Sequence, residues 1–151
     1  MVELRFGIEG EKELRRRLSA ARRALANFKP WLKQASLIAI ETSQRNIDEG
    51  GQPSWVALSG NTRPGENPVP LRDTGLLINS ISDPKSHEDG VFEMDNFAVE
   101  VGTNLKYAGP QHFGTRDGHI PARPFMFLHD EDEEKIFTLL EEYLDKALGP
   151  A

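Results

Sequence analysis

The chain has no cysteine. That excludes a disulfide scaffold, thiolate zinc sites, iron–sulfur clusters and a cysteine nucleophile, while leaving the redox compartment open. Long apolar runs are missing too. The longest, Leu37–Ile40 and Pro124–Leu128, fall far short of the ~20 residues that a bilayer crossing needs. The opening residues Met1-Val2-Glu3-Leu4-Arg5-Phe6 alternate and carry charge, unlike a signal peptide. The sequence reads as a soluble protein that stays where it is made, with no membrane partner.

Motifs for chemistry are equally scarce. There is no Gly-x-Ser-x-Gly, and Ser54, Ser59 and Ser80 have no marked partner base. Gly7-x-x-Gly10 and Gly114-x-x-x-Gly118 lack the spacing and the Lys-Ser/Thr ending of a phosphate loop. His112 and His119 bracket Asp117, but without the one-turn pairing usual in zinc ligand sets, and His87 and His129 stand alone. The acidic run Asp130–Glu134 lacks the alternating ligands and central glycine of a calcium loop, and reads as a solvated helix N-terminus. No enzymatic activity, cofactor or metal is expected.

What is present fits one domain over 1–151, with 38% hydrophobic and 28% charged residues and a net charge of −6. The charge is unevenly placed: ten Lys/Arg against seven Asp/Glu in 1–50, but two against eight in 130–151. A basic head and an acidic tail imply electrostatic complementarity within the fold or between neighbouring copies.

Val2, Leu4, Phe6 and Ile8 alternate as in a strand with one buried face. Leu14, Leu18, Ala21, Leu25 and Phe28 then form an apolar stripe on a helix, with Arg15, Arg16, Arg22 and Arg23 off it. A second helix is predicted from Pro30 to about Ile47, apolar around most of its circumference and so buried on most sides, ended by Gly50-Gly51. Residues 50–73 hold four prolines and four glycines in 24 residues and read as a long irregular arm. Trp55 and Leu71 look like its anchors. Asp73-Thr74 caps a short helix, Gly75–Ile81, with Leu76, Leu77 and Ile81 inward. Two strands follow, around Gly90–Asp95 and Phe97–Gly102, joined at Asp95-Asn96. Residues 103–124 read as another irregular segment, and Phe125, Phe127 and Leu128 as a third strand of the same sheet. A final helix starts at Asp130, with Glu133 three residues on, carries Ile136, Phe137, Leu140, Tyr143, Leu144, Ala147 and Leu148, and closes at Gly149-Pro150. The predicted class is α+β, a small mostly antiparallel sheet packed by about three longer helices.

Two long irregular segments without a catalytic constellation point to interaction. Trp55, Tyr107, Phe113, Arg116 and Arg123 are residue types that dominate interface energetics, although Trp55 and Phe113 could equally fold back on their own core. The basic helix with Lys12, Arg15, Arg16, Arg17, Arg22 and Arg23 is the nucleic-acid candidate. It is also what a solvated helix face would show, and no aromatics interleave with the arginines to stack bases.

The segment Tyr107-Ala108-Gly109-Pro110-Gln111-His112-Phe113-Gly114, followed by Ile120-Pro121-Ala122-Arg123-Pro124-Phe125, resembles the signature of the tailed-phage virion-morphogenesis family, which includes Mu-like and tail-completion proteins. Trp55 with Leu58, and Leu71-Arg72-Asp73-Thr74-Gly75-Leu76-Leu77 before Ser80-Ile81, also match, so the resemblance runs over about residues 30–148. It implies a structural virion component without enzymatic activity, joining head to tail or terminating the tail. It further implies a ring, often sixfold, around a DNA path that the protein does not read by sequence. Its partners would be copies of itself and other connector or tail proteins. On this reading Trp55, Leu58, Leu71, Tyr107, His112, Phe113, Gly114, Arg116, Arg123, Arg16, Arg22 and Arg23 are the interface candidates. Gly114 is expected in a turn with positive φ, and Arg123 on a carboxylate from Asp73 or the 130–134 run. The alternative function is a DNA-binding accessory protein acting through helix 12–23.

Overall fold

A computed structural model of the chain describes residues 11–58 and 69–149. The alternating segment Val2–Ile8 lies outside the described residues. Among those described are five helices and one two-stranded sheet: α1 (Glu11–Ala26), α2 (Lys29–Glu49), α3 (Leu76–Ser82), β1 (Gly90–Met94), β2 (Val99–Thr103), α4 (Ala108–Phe113) and α5 (Asp130–Leu148). The fold is α+β, as the periodicities predict.

Helix α2 is the axis. Pro30 occupies its first turn, and Gly50, left-handed at φ 75°, ends it with its N–H on the Asn46 carbonyl. Around it pack α3, α5 and β2. The core consists of Ile47, Leu77, Ile81, Ala108 and Phe125, covered by Trp55, Leu71, Ile78, Leu105 and Met126. Phe28, at the α1–α2 elbow, meets Trp31, Phe97 and Tyr143 at ring-centre distances of 6.1–6.3 Å. Trp31 Nε1 donates to the Ile136 carbonyl at 2.9 Å and the Tyr143 hydroxyl to the Asn27 carbonyl at 2.6 Å, so the elbow is pinned to α5.

The hairpin pairs Gly90 with Thr103 through Met94 with Val99. Its turn is longer than Asp95-Asn96. The Asp95 carboxylate accepts from the N–H groups of Phe97 and Ala98 at 2.7 and 2.8 Å, which hold its pKa below the ordinary range. Phe97 therefore sits in the turn, 66% exposed, rather than in a strand.

The third strand does not form. Residues 125–129 pair with no strand among the described residues, and their backbone partners are side chains and a helix end: Asn46 Nδ2 donates to the carbonyls of Phe125 and Phe127, and the Phe125 N–H reaches His112 Nδ1. Nor is 103–124 wholly irregular. It contains α4, where Pro110 stands in the first turn, in which a missing N–H costs little.

Three faces differ from their patterns. Leu76 is 44% exposed, while Leu77 and Ile81 point inward. Leu37 is 58% exposed, and α2 buries Ser36, Thr42, Ser43 and Asn46 in its place. On α1 the buried residue is Ala24, while Leu14, Leu18 and Leu25 stand 49%, 61% and 58% exposed. Small residues let α1 approach α5 closely, and the leucine stripe is left beside that contact, facing out.

Candidate functional site

The two motif segments come together around the end of α2. Gly50 accepts the Trp55 N–H at 2.8 Å, and the Trp55 ring lies directly on Gly51, where a Cβ would overlap the indole. Leu71 packs on the same core, and the neighbouring Arg72 forms an ion pair with Asp48 of α2. Both ends of the arm, 50–58 and 69–73, are thus fastened to one helix terminus. Trp55, Leu58 and Leu71 are half-buried there rather than projecting. The middle of the arm, 59–68, lies outside the described residues.

Next to it, α4 and the loop after it form a second frame. Tyr107 is the N-cap residue of α4, 42% exposed. Its pKa is raised by burial and by the charges of Asp89 and Asp73. Gly114 ends the helix at φ 75°, ψ 174°, a region essentially confined to glycine, and a Cβ there would lie 2.9 Å from the Ala122 N. The positive φ read from the sequence is present. Thr115 then closes a tight loop: its N–H donates to the Ile120 carbonyl and its hydroxyl accepts the Ile120 N–H, both at 2.9 Å. Arg116 is exposed on this loop.

His112 and Phe113 share the last turn of α4 but differ in burial. His112 turns inward. Its ring meets Phe125 edge-on at 4.9 Å, and Nδ1 accepts the Phe125 N–H at 3.3 Å, which requires a neutral ring. Burial lowers its pKa from the ordinary value of 6.5. The folded chain therefore binds this proton less readily than the unfolded chain, so stability rises with pH through the interval between the lowered pKa and 6.5. Thermal unfolding from about pH 5 to pH 7.5 should show this slope, and His112→Gln should flatten it. Phe113 turns outward and is 80% exposed, with the His112 ring set edgewise to its own at 4.5 Å between centres.

Arg123 corrects an expectation. It is 5% exposed, yet among the described residues no carboxylate lies within ion-pair distance. Its guanidinium donates to Gln111 Oε1 and to the Val56 carbonyl, each at 3.3 Å, and Nε has no partner. Burial lowers its pKa. Asp73 is engaged elsewhere, and the acidic run belongs to α5. Arg123 thus joins arm to α4 through neutral acceptors, and its own backbone N–H donates to the Gln111 carbonyl at 2.8 Å.

The sequence reading missed the polar centre behind this frame. Asn46, 1% exposed, holds the Phe125 and Phe127 carbonyls, and its Oδ1 lies 2.7 Å from His129 Nε2. The cap of α5 is His129 with Asp132, not Asp130 with Glu133. Asp132 is 1% exposed and binds Arg45 at 2.6 Å. Burial opposes its charge, but the Thr42 hydroxyl, Arg45, the His129 N–H and Lys135 outweigh that and lower its pKa. The signal was available: Ser36, Thr42, Ser43 and Asn46 recur at helical spacing inside an apolar helix.

Two open clefts flank this centre. One, about 540 Å³, is lined by Arg45, Glu49, Gln52, His129 and Glu131 among others. Arg45 is already paired there with Asp132 and Glu131. The other, about 310 Å³, is apolar, between Ala35, Ala39, Val99, Val101 and Ile136. His119 lies 4.0 Å from Asp117, largely exposed, while His112 is committed inward. Among the described residues no three His, Asp or Glu side chains are placed to hold a metal ion, and no helix is long and apolar enough to cross a membrane. Arg16, Arg22 and Arg23 lie on α1, whose packing partner is α5, apart from this frame. Glu13 binds Arg16 and Arg17.

No protein-family model and no solved structure matches the chain. Comparison with known proteins identifies it as a phage protein. Over 148 residues, 95% of this chain and 96% of the other, it is 30% identical to the Mu-like prophage FluMu G protein 2 of Haemophilus influenzae, and it belongs to that family. The resemblance carried by Tyr107–Gly114 and Ile120–Phe125 is borne out.

Proposed function

We propose that the chain is a non-enzymatic structural virion protein that assembles with copies of itself as a ring, at the head–tail connection or the tail end, and joins or completes the tail. The observation that carries this reading is Phe113. A large aromatic side chain, 80% exposed, stands on a helix end held by Gly114 and His112, where it adds little burial to the fold and is accessible to a neighbour. Helix α1 is basic and helix α5 acidic, which suits contact between unlike faces of successive copies. Other connector or tail proteins would take the remaining faces, and DNA would pass through the ring without being read.

The purified full chain should show a mass that is a multiple of 16.9 kDa, and should be found in assembled particles. A monomer at all concentrations that is also absent from particles overturns the reading. The alternative is a DNA-binding accessory protein. What favours it is that Arg22 and Arg23 are exposed and form no ion pair among the described residues. Salt-dependent retention on duplex DNA, lost on replacing Arg16, Arg22 and Arg23, would establish it.

A further inference from the structure

Two apolar stripes stand exposed among the described residues. On α1, Leu14, Leu18 and Leu25 lie on one face, at intervals of four and seven residues. On α5, Phe137 is 63% and Leu148 43% exposed, with half-buried Leu144 between them, at intervals of seven and four. Each stripe spans twelve residues, roughly 16 Å of helix from first to last. Read in opposite directions the two spacings coincide, so antiparallel helices would bring Leu14 to Leu148, Leu18 to Leu144 and Leu25 to Phe137.

The charges agree with that pairing. Helix α1 carries six Lys/Arg against two Glu, and α5 eight Asp/Glu against two Lys. In the folded chain α1 meets α5 through Ala24 and the Tyr143 hydroxyl, Arg16 and Arg17 bind Glu13 within α1, and Arg22 and Arg23 form no ion pair among the described residues. Arg22 flanks the leucine stripe, and Glu141 lies between Phe137 and Leu144. The basic and acidic helices are neighbours in the fold. Their complementarity is also open to another molecule.

We infer that the leucine stripe of α1 docks antiparallel on the Phe137–Leu148 stripe of α5 in a second copy of this chain, with Arg22 opposite Glu141. This rests on the proposal that the chain assembles with itself, and adds the surface through which it does so.

The test is the mass of the full-length chain by sedimentation or native mass spectrometry, with circular dichroism as the control for folding. Leu18→Glu with Leu25→Glu replaces only exposed side chains, so the fold should persist while self-association weakens by about 100-fold. Arg22→Glu alone and Glu141→Arg alone should each weaken it, and mixing the two variants should restore it, because each reversed face then meets a reversed partner. Wild-type assembly with folded leucine variants that assemble equally well overturns this interface and leaves the self-assembly proposal standing. So does failure of the mixed charge variants to recover. A wild-type chain that is monomeric and absent from particles overturns both.

Discussion

Replacing Asn46 with alanine is expected to lower the melting temperature by about 10 °C, the shift that a loss of about 3–4 kcal/mol produces in a domain of this size. Asn46 has 1% of its surface exposed. Its amide nitrogen serves the Phe125 carbonyl at 3.0 Å and the Phe127 carbonyl at 3.2 Å, and its oxygen faces His129 Nε2 at 2.7 Å. Truncation leaves all three without this partner and opens a space beneath Phe125, itself 2% exposed. Each orphaned buried group costs about 1–3 kcal/mol. Phe127 and His129 are half-buried, so water recovers part of that sum. Asn46→Asp keeps the volume but sets an acceptor against two carbonyls, and should cost a comparable amount. Thermal unfolding followed by far-ultraviolet circular dichroism measures both. A loss under about 1 kcal/mol in each would mean that the 125–129 segment is held by packing instead.

The same residue shows where sequence patterns stop being informative. Helices α2 and α5 and the hairpin are legible because their signals are local: apolar spacing of three and four, alternation, Pro30 at a start and Gly50 at an end. The segment Phe125–His129 has the composition of a strand, yet its Phe125 and Phe127 carbonyls are held by Asn46, 79 and 81 residues earlier in the chain. No local window contains that partner. Helix α4 is hidden for a different reason. Gly109 and Pro110 are turn residues by propensity, but in the first turn of a short helix neither has to supply an intrahelical N–H. On α1 the leucine spacing gives the right element and the wrong buried side, because the close contact with α5 selects Ala24 over the larger neighbours.

At the site, Gly114 could be read because positive φ leaves a mark on residue type. The environment of Arg123 could not. An arginine within Ile120-Pro121-Ala122-Arg123-Pro124-Phe125 implies a carboxylate by chemistry, whereas the fold supplies Gln111 and a backbone carbonyl. Trp55 and Phe113 were indistinguishable as interface or core residues from sequence. The structure separates them, with Trp55 seated on Gly51 and Phe113 projecting.

That separation yields the sharpest functional expectation. Phe113→Glu should leave the unfolding midpoint unchanged to within about 0.5 kcal/mol, since the ring is 80% exposed and contributes little burial. Its partner His112 keeps the contacts that matter to the fold, the Phe125 ring and the Phe125 N–H. Association should respond very differently. An aromatic anchor at an interface contributes about 2–4 kcal/mol, or roughly 30- to 1,000-fold in affinity, and a buried glutamate adds an uncompensated charge. In a closed ring every copy would carry the defect, so the losses compound around the circle. Incorporation of the variant into particles and co-sedimentation with tail tubes measure this directly. A Phe113→Glu chain that is folded, incorporated and fully active in tail completion would remove the α4 tip from the mechanism. A chain that unfolds would show instead that the exposed ring belongs to the fold. Loss of incorporation with an unchanged melting curve is the expected result, and it would separate this surface from the leucine stripe of α1, whose substitution acts on the mass of the free protein.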